Sequence, residues 1–212
     1  MTKYNYKTIL KHIEHEIPKI KWSRFIGNIF HIKDKQEAEK YIKEINEKHK
    51  WANHNCFAYT YGTNINFDLF GNLEITPEYF RQSDEWEPAN TAGKPILAQI
   101  QWQNLHNILI IVTRYFGWTL LWIWWLIQAY GECAKQTILN ANIVNIEITE
   151  QITLNFEYKL LPTIMKLINN YDVKIIEETH WEEAKITLEI NKWIIDEFKK
   201  DVFDQTKWQL SI

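Results

Sequence analysis

The sequence predicts an α+β protein with two domains, residues 1–148 and 149–212. Its length supports this, because 212 residues can build one large domain or two small ones. Its composition predicts a packed core rather than disorder, since hydrophobic residues make up 46% and charged residues 24%. Along the chain, helix-like and strand-like segments alternate, and their order changes near residue 150.

The elements of the first domain follow from hydrophobic spacing. Strands are predicted where β-branched and aromatic residues run together, at 23–32, 54–62 and 107–116. Helices are predicted where apolar residues recur every three or four positions, at 33–49, 96–101 and 126–141. Asp34 can cap the first helix, with Glu37 three residues later. A polar segment, "RQSDEWEPANTAGKP" at 81–95, is expected to be a loop.

The second domain has a different order of elements. The pattern predicts strand, helix, strand, strand, helix and strand, at 151–158, 160–170, 173–180, 183–190, 194–206 and 209–212. This β-α-β-β-α-β order is that of a ferredoxin-like domain. Residues 150–212 carry 12 acidic and 8 basic side chains. We therefore expect any site for a polyanion to lie on the first domain.

The sequence does not favour a secreted protein or a membrane protein. The N-terminal segment carries charges throughout, unlike a signal peptide, and the uncharged run 116–131 is shorter than the roughly 20 residues of a membrane span. Cys56 and Cys133 form no CxxC motif, which is typical of the reducing cytoplasm. The net charge of −3 argues against a generally basic nucleic-acid binder but permits a local basic patch.

Tryptophan is unusually frequent and glycine unusually rare. The chain has 11 tryptophans and 6 glycines, whereas glycine averages about 7% of residues in proteins. A chain of this class needs glycine wherever φ is positive. The two counts together match the ordinary glycine level, so one interpretation is that glycines of the protein are written as tryptophan.

Several motifs occur in the order and spacing of one family. They are "SRFIG", "ANHNCFAY", "RQSDEWEPANTAGKPIL", "IVTRYFGW" and "LLWIWWLIQAYGECA". From about residue 20 to 145 these motifs resemble the YigZ/IMPACT family, and the second domain resembles the small domain of its bacterial members. The resemblance implies a first domain like domain 2 of ribosomal protein S5 and a second like domain V of translocating elongation factors.

The resemblance also bears on function. It implies a cytoplasmic protein linked to translation or its regulation, which in eukaryotic members acts through a regulator of an initiation-factor kinase. It supplies no catalytic residues. The expected function is therefore a non-enzymatic module that binds RNA or the ribosome through the first domain.

Within the motifs, tryptophan falls on family glycines. Trp86 falls on the glycine of "SDDGEP", and others fall on the glycines of "GGxKLGxGGL": Trp118, Trp122, Trp124 and Trp125. We hypothesise that the gene uses UGA as a glycine codon, the alternative being genuine tryptophans that form an aromatic surface. Read with glycine, the stretch is a strand, a glycine-rich loop and a helix N-terminus, whose backbone N–H groups can bind an anion.

The candidates for binding RNA or another anion combine this loop with three cations. They are Arg81, Lys94, Arg114, Gly117, Trp118, Trp122, Trp124 and Trp125. An alternative for Arg114 is a pair with Asp84 or Glu87 that locks the loop to the strand. Two departures from the family pattern weaken the case for phosphate, because Leu120 replaces a lysine and Gln128 replaces an arginine. The sequence indicates no DNA specificity.

An enzyme is the alternative function. The candidates in the motif loops are His54, Asp84, Glu87, Thr91 and Gly93, of which two carboxylates and the imidazole could serve as acid and base or hold a metal ion. The structural interpretation is that Asp84 and Thr91 cap turns. The spacing contains no HExxH or similar motif, so neither a metal nor a cofactor is predicted. A regulator that binds a protein partner through an exposed apolar patch is a third interpretation.

Overall fold

A computed structural model describes residues 4–70, 72–117, 120–180, 184–206 and 210–211. Over these ranges the protein is a mixed α+β structure with five α-helices and four sheets. It divides into two compact units. Residues 6–146 form the N-terminal unit, and residues 147–212 together with 1–5 form the C-terminal unit. No helix in the described ranges is long and apolar enough to cross a lipid bilayer.

The N-terminal unit contains nine strands and three helices in its described part. In chain order they are β1 (Asn5–Ile9), β2 (Ile13–Glu16), β3 (Arg24–His31), α1 (Lys35–Lys48), β4 (His54–Tyr61), β5 (Asn64–Phe67), β6 (Leu73–Thr76), β7 (Tyr79–Ser83), α2 (Gly93–Trp102), β8 (Ile108–Tyr115), α3 (Ile123–Leu139) and β9 (Ile143–Glu147). The main sheet is antiparallel, with strand order β2-β3-β8-β4-β7. β5 and β6 form a separate hairpin, and β1 pairs with β9.

Helices cover both faces of the main sheet. On one face α2 and α3 pack on a cluster that includes Ile110 and Val112, and on the other face α1 packs on Leu109 and Ile111. β8 is therefore buried on both sides, as its continuous apolar run predicts. The predicted cap of α1 is confirmed, because the Asp34 side chain accepts a hydrogen bond from the backbone nitrogen of Glu37 at 2.9 Å.

The polar segment 81–95 is shorter as a loop than predicted. Tyr79–Ser83 is the edge strand β7, and α2 begins at Gly93, so the loop covers 84–92. Trp102 is the last residue of α2, one position beyond the helix predicted at 96–101. An edge strand exposes polar side chains and so shows no burial pattern in its sequence.

The C-terminal unit has the predicted order of elements. These are β10 (Thr149–Phe156), α4 (Leu161–Asn170), β11 (Lys174–His180), β12 (Ala184–Asn191), α5 (Ile195–Thr206) and β13 (Leu210–Ser211). The strands form an antiparallel sheet in the order β11-β12-β10-β13. Alternate residues of β10 and β12, such as Leu154 and Ile186, are buried against α4 and α5, and Trp193 packs at the margin of this core.

Candidate functional site

The motif segments of the N-terminal unit meet at one end of the main sheet, which we call the motif edge. β3 begins there at Arg24, β4 begins at His54, and β7 and β8 end there at Ser83 and Tyr115. The motif edge therefore comprises the turn 17–23, the segments 49–53 and 84–92, and the described residues between β8 and α3. Antiparallel pairing brings together segments that lie far apart in the sequence.

Asp84 organises the loop that leads to α2. Its carboxylate accepts three backbone hydrogen bonds, from Asn90 at 2.8 Å and from Ala92 and Gly93 at 2.9 Å each. Its carbonyl oxygen accepts a hydrogen bond from the backbone nitrogen of Glu87 at 2.8 Å. The carboxylate thus satisfies the free N–H groups at the start of a helix, which is the capping role that the sequence suggested as the alternative to catalysis.

Gly93 and Thr91 have structural roles in the same loop. A Cβ atom at Gly93 would lie 2.8 Å from the backbone nitrogen of Ser83, so only glycine lets α2 start this close to β7. The hydroxyl group of Thr91 donates to the carbonyl oxygen of Pro88 at 2.6 Å. Both residues shape the backbone and do not direct a reactive group outward.

Beneath the loop lies a buried polar network centred on Glu87. Nη1 of Arg114 donates to Oε1 of Glu87 at 2.6 Å, and the Tyr130 hydroxyl donates to the same oxygen at 2.8 Å. Arg114 is 4% exposed and Tyr130 is fully buried. Burial raises the pKa of Tyr130, so the hydroxyl keeps its proton and stays a donor. Of the alternatives for Arg114, the pair with Glu87 is confirmed.

His54 and Cys56 lie next to this network. His54 Nδ1 is 2.8 Å from the carbonyl oxygen of Glu85, and Nε2 is 3.8 Å from Oε1 of Glu87. The Cys56 thiol donates to the carbonyl oxygen of Asp84 at 3.0 Å. Burial raises the pKa of Cys56, which disfavours the nucleophilic thiolate. The two side chains therefore hold the loop against β4 and do not form an activated pair.

The enzyme interpretation depends on Asp84, Glu87 and His54 acting together. The structure brings Glu87 and His54 close, but the Asp84 carboxylate is occupied by backbone donors and Glu87 by Arg114 and Tyr130. Within the described residues no group of three or more His, Cys, Asp or Glu side chains is arranged to hold a metal ion. The geometry gives this cluster a structural role.

The three predicted cations lie in different environments. Lys94 is exposed in the first turn of α2 at the motif edge, and Arg81 is exposed on β7 with its guanidinium 6.0 Å from the ring centre of Phe57. Arg114 is buried and its charge is balanced by Glu87. Arg114 consequently offers no free charge to a ligand at the surface, whereas Arg81 and Lys94 do.

The segment between β8 and α3 is partly described. Gly117 is buried, its nitrogen donates to Ser23 Oγ at 3.1 Å, and a Cβ there would lie 2.5 Å from the carbonyl carbon of Trp22. Trp118 lies outside the described residues. Trp122 is the N-cap of α3 and makes no side-chain capping hydrogen bond. Trp124 belongs to the first turn of the helix, so the predicted glycine-rich loop ends before it.

The tryptophans of the motif edge and of the adjoining first turn of α3 are exposed. Solvent-accessible fractions are 73% for Trp22, 82% for Trp51, 94% for Trp86, 82% for Trp122, 59% for Trp124 and 39% for Trp125. Away from this edge, Trp102 is 79% exposed, and Trp181 and Trp208 lie outside the described residues. Large apolar side chains gathered in the open are unusual unless they meet a partner.

Two of these tryptophans have left-handed backbone conformations. Ile20 and Ser23 exchange two backbone hydrogen bonds around Lys21 and Trp22, whose φ angles are +47° and +70°. The turn from Asp84 to Glu87 repeats the pattern, with φ of +40° at Glu85 and +71° at Trp86. Positive φ at both central residues is the type I′ pattern, which strongly favours glycine at the second.

Sequence reasoning missed three residues of the site. Ser23 accepts the hydrogen bond from Gly117, Tyr130 donates to Glu87, and Asn53 Oδ1 accepts from the backbone nitrogen of Phe116 at 2.7 Å. Tyr130 lies on the buried face of α3. A buried tyrosine usually finds a hydrogen-bond partner, and that expectation was the signal available in the sequence.

Comparisons with known proteins identify the family. Residues 21–138 match the Impact N-terminal domain, which is more than half of the chain, and the chain belongs to the IMPACT family. It is similar to the IMPACT family member YvyE of Bacillus subtilis (strain 168), with 29% identity over 85% of this chain and 76% of that protein. It is also similar to the IMPACT family member YigZ of Escherichia coli (strain K12), with 28% identity over 92% of this chain and 91% of that protein.

A solved structure shares the overall fold. It is described as the crystal structure of a hypothetical protein, and it has a TM-score of 0.71 at 26% sequence identity. The match covers 100% of this chain and 97% of the other.

Proposed function

We propose that the protein is a non-enzymatic, translation-associated regulator that binds RNA or the ribosome through its motif edge. The observation that carries this proposal is the convergence of the family's motif segments on one edge that also presents exposed lysines. Lys21 lies in the turn before β3, Lys50 precedes β4 and Lys94 lies in the first turn of α2. All three are exposed, and none makes an ion pair with a residue in the described ranges.

Electrostatics favour this edge as the place for a polyanion. The acidic groups closest to its centre are neutralised internally, because Asp84 faces backbone N–H groups and Glu87 faces Arg114. The lysines can therefore meet phosphate groups with one carboxylate of the loop still nearby, that of Glu85, which accepts a hydrogen bond from the Ser83 hydroxyl. Arg114 contributes indirectly, since its pair with Glu87 holds the loop that carries Lys94.

A salt titration with matched lysine variants tests the proposal. RNA binding and ribosome co-sedimentation should weaken with rising salt, with a slope of roughly 0.7 per phosphate contact in the logarithmic plot. Lys21→Ala, Lys50→Ala and Lys94→Ala should each lower the affinity and flatten the slope. Lys33→Ala is the control, because Lys33 is exposed just beyond the other end of β3. Binding that is the same in all variants and at all salt concentrations contradicts the proposal.

We also propose that glycine stands at the tryptophan positions of the natural protein, through reading of UGA as glycine. The left-handed φ angles of Trp22 and Trp86 support this, as do the exposed fractions of their indoles. With glycine at the motif edge, backbone N–H groups become accessible to phosphate oxygens. Mass spectrometry of peptides from the source organism provides the test, and peptides that contain tryptophan at 22 and 86 exclude it.

We further propose that residues 1–148 resemble domain 2 of ribosomal protein S5 and that residues 149–212 are ferredoxin-like. The sheet order β11-β12-β10-β13 supports the second assignment. A cytoplasmic location is part of the same proposal. Its support is the pair of free cysteines and the bacterial origin of the relatives.

A protein partner is the second candidate, favoured by the β5–β6 hairpin. Its tip exposes Phe67 at 61%, Leu69 at 101% and Phe70 at 89%. Apolar side chains on a projecting hairpin are typical of a contact surface. Leu69→Lys should abolish binding of such a partner without changing RNA binding. Loss of both activities would contradict the proposal that the hairpin and the motif edge are separate binding surfaces.

A further inference from the structure

The β5–β6 hairpin has one apolar face and one polar face. Residues that lie directly opposite each other on paired strands share a face, and the register pairs Ile65 with Ile75 and Phe67 with Leu73. The residues of the other face are all polar: Asn64, Asn66, Glu74 and Thr76. Within the described residues neither strand pairs with a third one, and the apolar face belongs to none of the three core clusters. An isolated two-stranded hairpin is at best marginally stable in water, so this face needs a surface to cover it.

The tip of the hairpin is a fixed projection. Oδ1 of Asp68 accepts hydrogen bonds from the backbone nitrogens of Phe70 and Asn72 at 2.8 Å each, and Oδ2 accepts one from the side-chain amide of Asn72 at 2.8 Å. The Asp68 nitrogen donates to the carbonyl oxygen of Asn72 at 2.9 Å. These bonds hold the turn that presents Leu69 and Phe70 almost fully to solvent. A turn that is already ordered loses little conformational entropy when its side chains bind.

A cavity lies beside the hairpin, at the end of the main sheet opposite to the motif edge. Its volume is about 570 Å³. Leu73 and Ile75 of the apolar face line one side, and Phe80 of β7 lines another. Leu69 and Phe70 are exposed and do not line it, so the tip does not enter the cavity of its own chain. Cavities of this size hold drug-sized molecules, so it has room for two side chains of another chain.

The exposed apolar surface at this end is close to what a stable dimer needs. Four large apolar side chains are exposed on the hairpin and in the cavity: Phe67, Leu69, Phe70 and Phe80. Their exposed fractions together amount to about 600 Å², at about 200 Å² for a fully exposed side chain of this size. The half-exposed residues of the apolar face add to this, and stable interfaces bury about 800 Å² per partner. Among the described lining residues Glu74 is the one with a charge, and it lies on the polar face of the hairpin. Few charges at the centre are typical of contacts between copies of one chain.

We infer that two copies of the chain associate about a two-fold axis, with the tip of each hairpin in the cavity of the other copy. One chain carries both the projection and the cavity, so a second copy supplies the complement to each, as a two-fold contact requires. The inference rests on the protein-binding role proposed for the hairpin and names a second copy as the partner. The motif edge lies at the opposite end of the sheet and takes no part in the contact.

Sedimentation velocity of the full chain at increasing concentration tests the inference. The chain should form a reversible dimer with a dissociation constant of about 1–100 μM. Leu69→Glu should weaken the dimer about tenfold or more, because the new carboxylate would enter an apolar cavity that already contains Glu74. Leu139→Glu is the matched control, since Leu139 is 59% exposed at the end of α3, and it should leave the dissociation constant unchanged.

An exchange of charges tests whether the tip enters the cavity. Phe80→Lys should also weaken the dimer, because it places an ammonium group in the cavity. In a mixture of Leu69→Glu chains and Phe80→Lys chains, the introduced carboxylate of one chain meets the introduced ammonium of the other, while the second contact of that pair is unsubstituted. The mixed dimer should therefore be about tenfold or more tighter than the dimer of either variant alone.

Three results would overturn the inference. The first is a chain that stays monomeric at about 1 mM, well above the expected dissociation constant. The second is a dimer that Leu69→Glu weakens no more than Leu139→Glu does, because another surface would then hold the copies together. The third is a mixture of the two charged variants that associates no more tightly than each variant alone. A monomer in which Leu69→Lys still abolishes binding of a different protein refutes the dimer alone, whereas a monomer that binds no other protein refutes the protein-binding role of the hairpin as well.

Discussion

Replacing Trp22 and Trp86 by glycine should stabilise the protein. Both residues are exposed and have φ near +70°, where a side chain with a Cβ costs about 1–2 kcal/mol relative to glycine. The extra flexibility of glycine in the unfolded chain offsets about 0.5–1 kcal/mol of this. The net gain is about 1 kcal/mol per site, and about 2 kcal/mol for the double variant, because the two sites lie in different turns.

The assay is thermal and urea unfolding of the double variant W22G/W86G. A gain of about 2 kcal/mol corresponds to a rise in Tm of about 4–8 °C for a unit of this size. W102G is the matched control, because Trp102 is equally exposed but lies in the last turn of α2. Glycine in a helix costs up to about 1 kcal/mol, so the control should melt at a lower temperature. A double variant that loses stability as W102G does would refute the argument from φ.

The other predictions concern the buried network and the packing around it. Glu87→Ala should cost about 3–5 kcal/mol in urea unfolding, since it leaves a buried guanidinium unpaired, and a loss below 1 kcal/mol would show that the network is dispensable. Gly93→Ala should cost about 1–3 kcal/mol because its Cβ meets the β7 backbone, whereas Gly131→Ala in α3, with its nearest contact at 3.8 Å, should raise Tm slightly. Equal effects of the two alanines would contradict the packing argument. Burial raises the pKa of Cys56, and that of Cys133 to about 12, so neither thiol should react with Ellman's reagent at pH 8 until the protein is unfolded; rapid labelling of the folded protein would disprove this.

The elements with strong periodicity were predictable from the sequence. α1 has an N-cap at Asp34 and apolar residues that recur on one face, so both the helix and its first residue could be predicted from the sequence. β8 could be predicted for a different reason, because a strand that is buried on both faces has an uninterrupted run of apolar residues. In the C-terminal unit the alternating residues of β12 made the strand evident.

The elements at the margins were not predictable. β5 and β6 pair only with each other, and β7 lies at the edge of the main sheet. Their side chains are mostly exposed or half-buried, so the sequence contains no alternation of buried and exposed positions to detect. What defines these strands is hydrogen bonding to a neighbour, which a local pattern does not encode.

Most residues of the candidate site could be predicted from the sequence, but most of the contacts between them could not. The residues of the loop 84–92 were identified, and the bond from Arg114 to Glu87 was one of two alternatives. The contributions of Ser23 and Tyr130 depend on contacts over 94 and 43 positions of the chain. These contacts follow from the register of β3, β8 and β4, which no single segment determines. The left-handed φ angles at Trp22 and Trp86 also became evident only with the turns in place.

The most direct measurement of the central claim is ribosome co-sedimentation and RNA crosslinking of protein made with glycine at every tryptophan position. Performed from low to high salt, it should detect binding that declines with ionic strength and is weakened by Lys21→Ala, Lys50→Ala and Lys94→Ala but not by Lys33→Ala. The absence of any association at low salt, or association unaffected by these substitutions, would contradict a role of the motif edge in binding RNA.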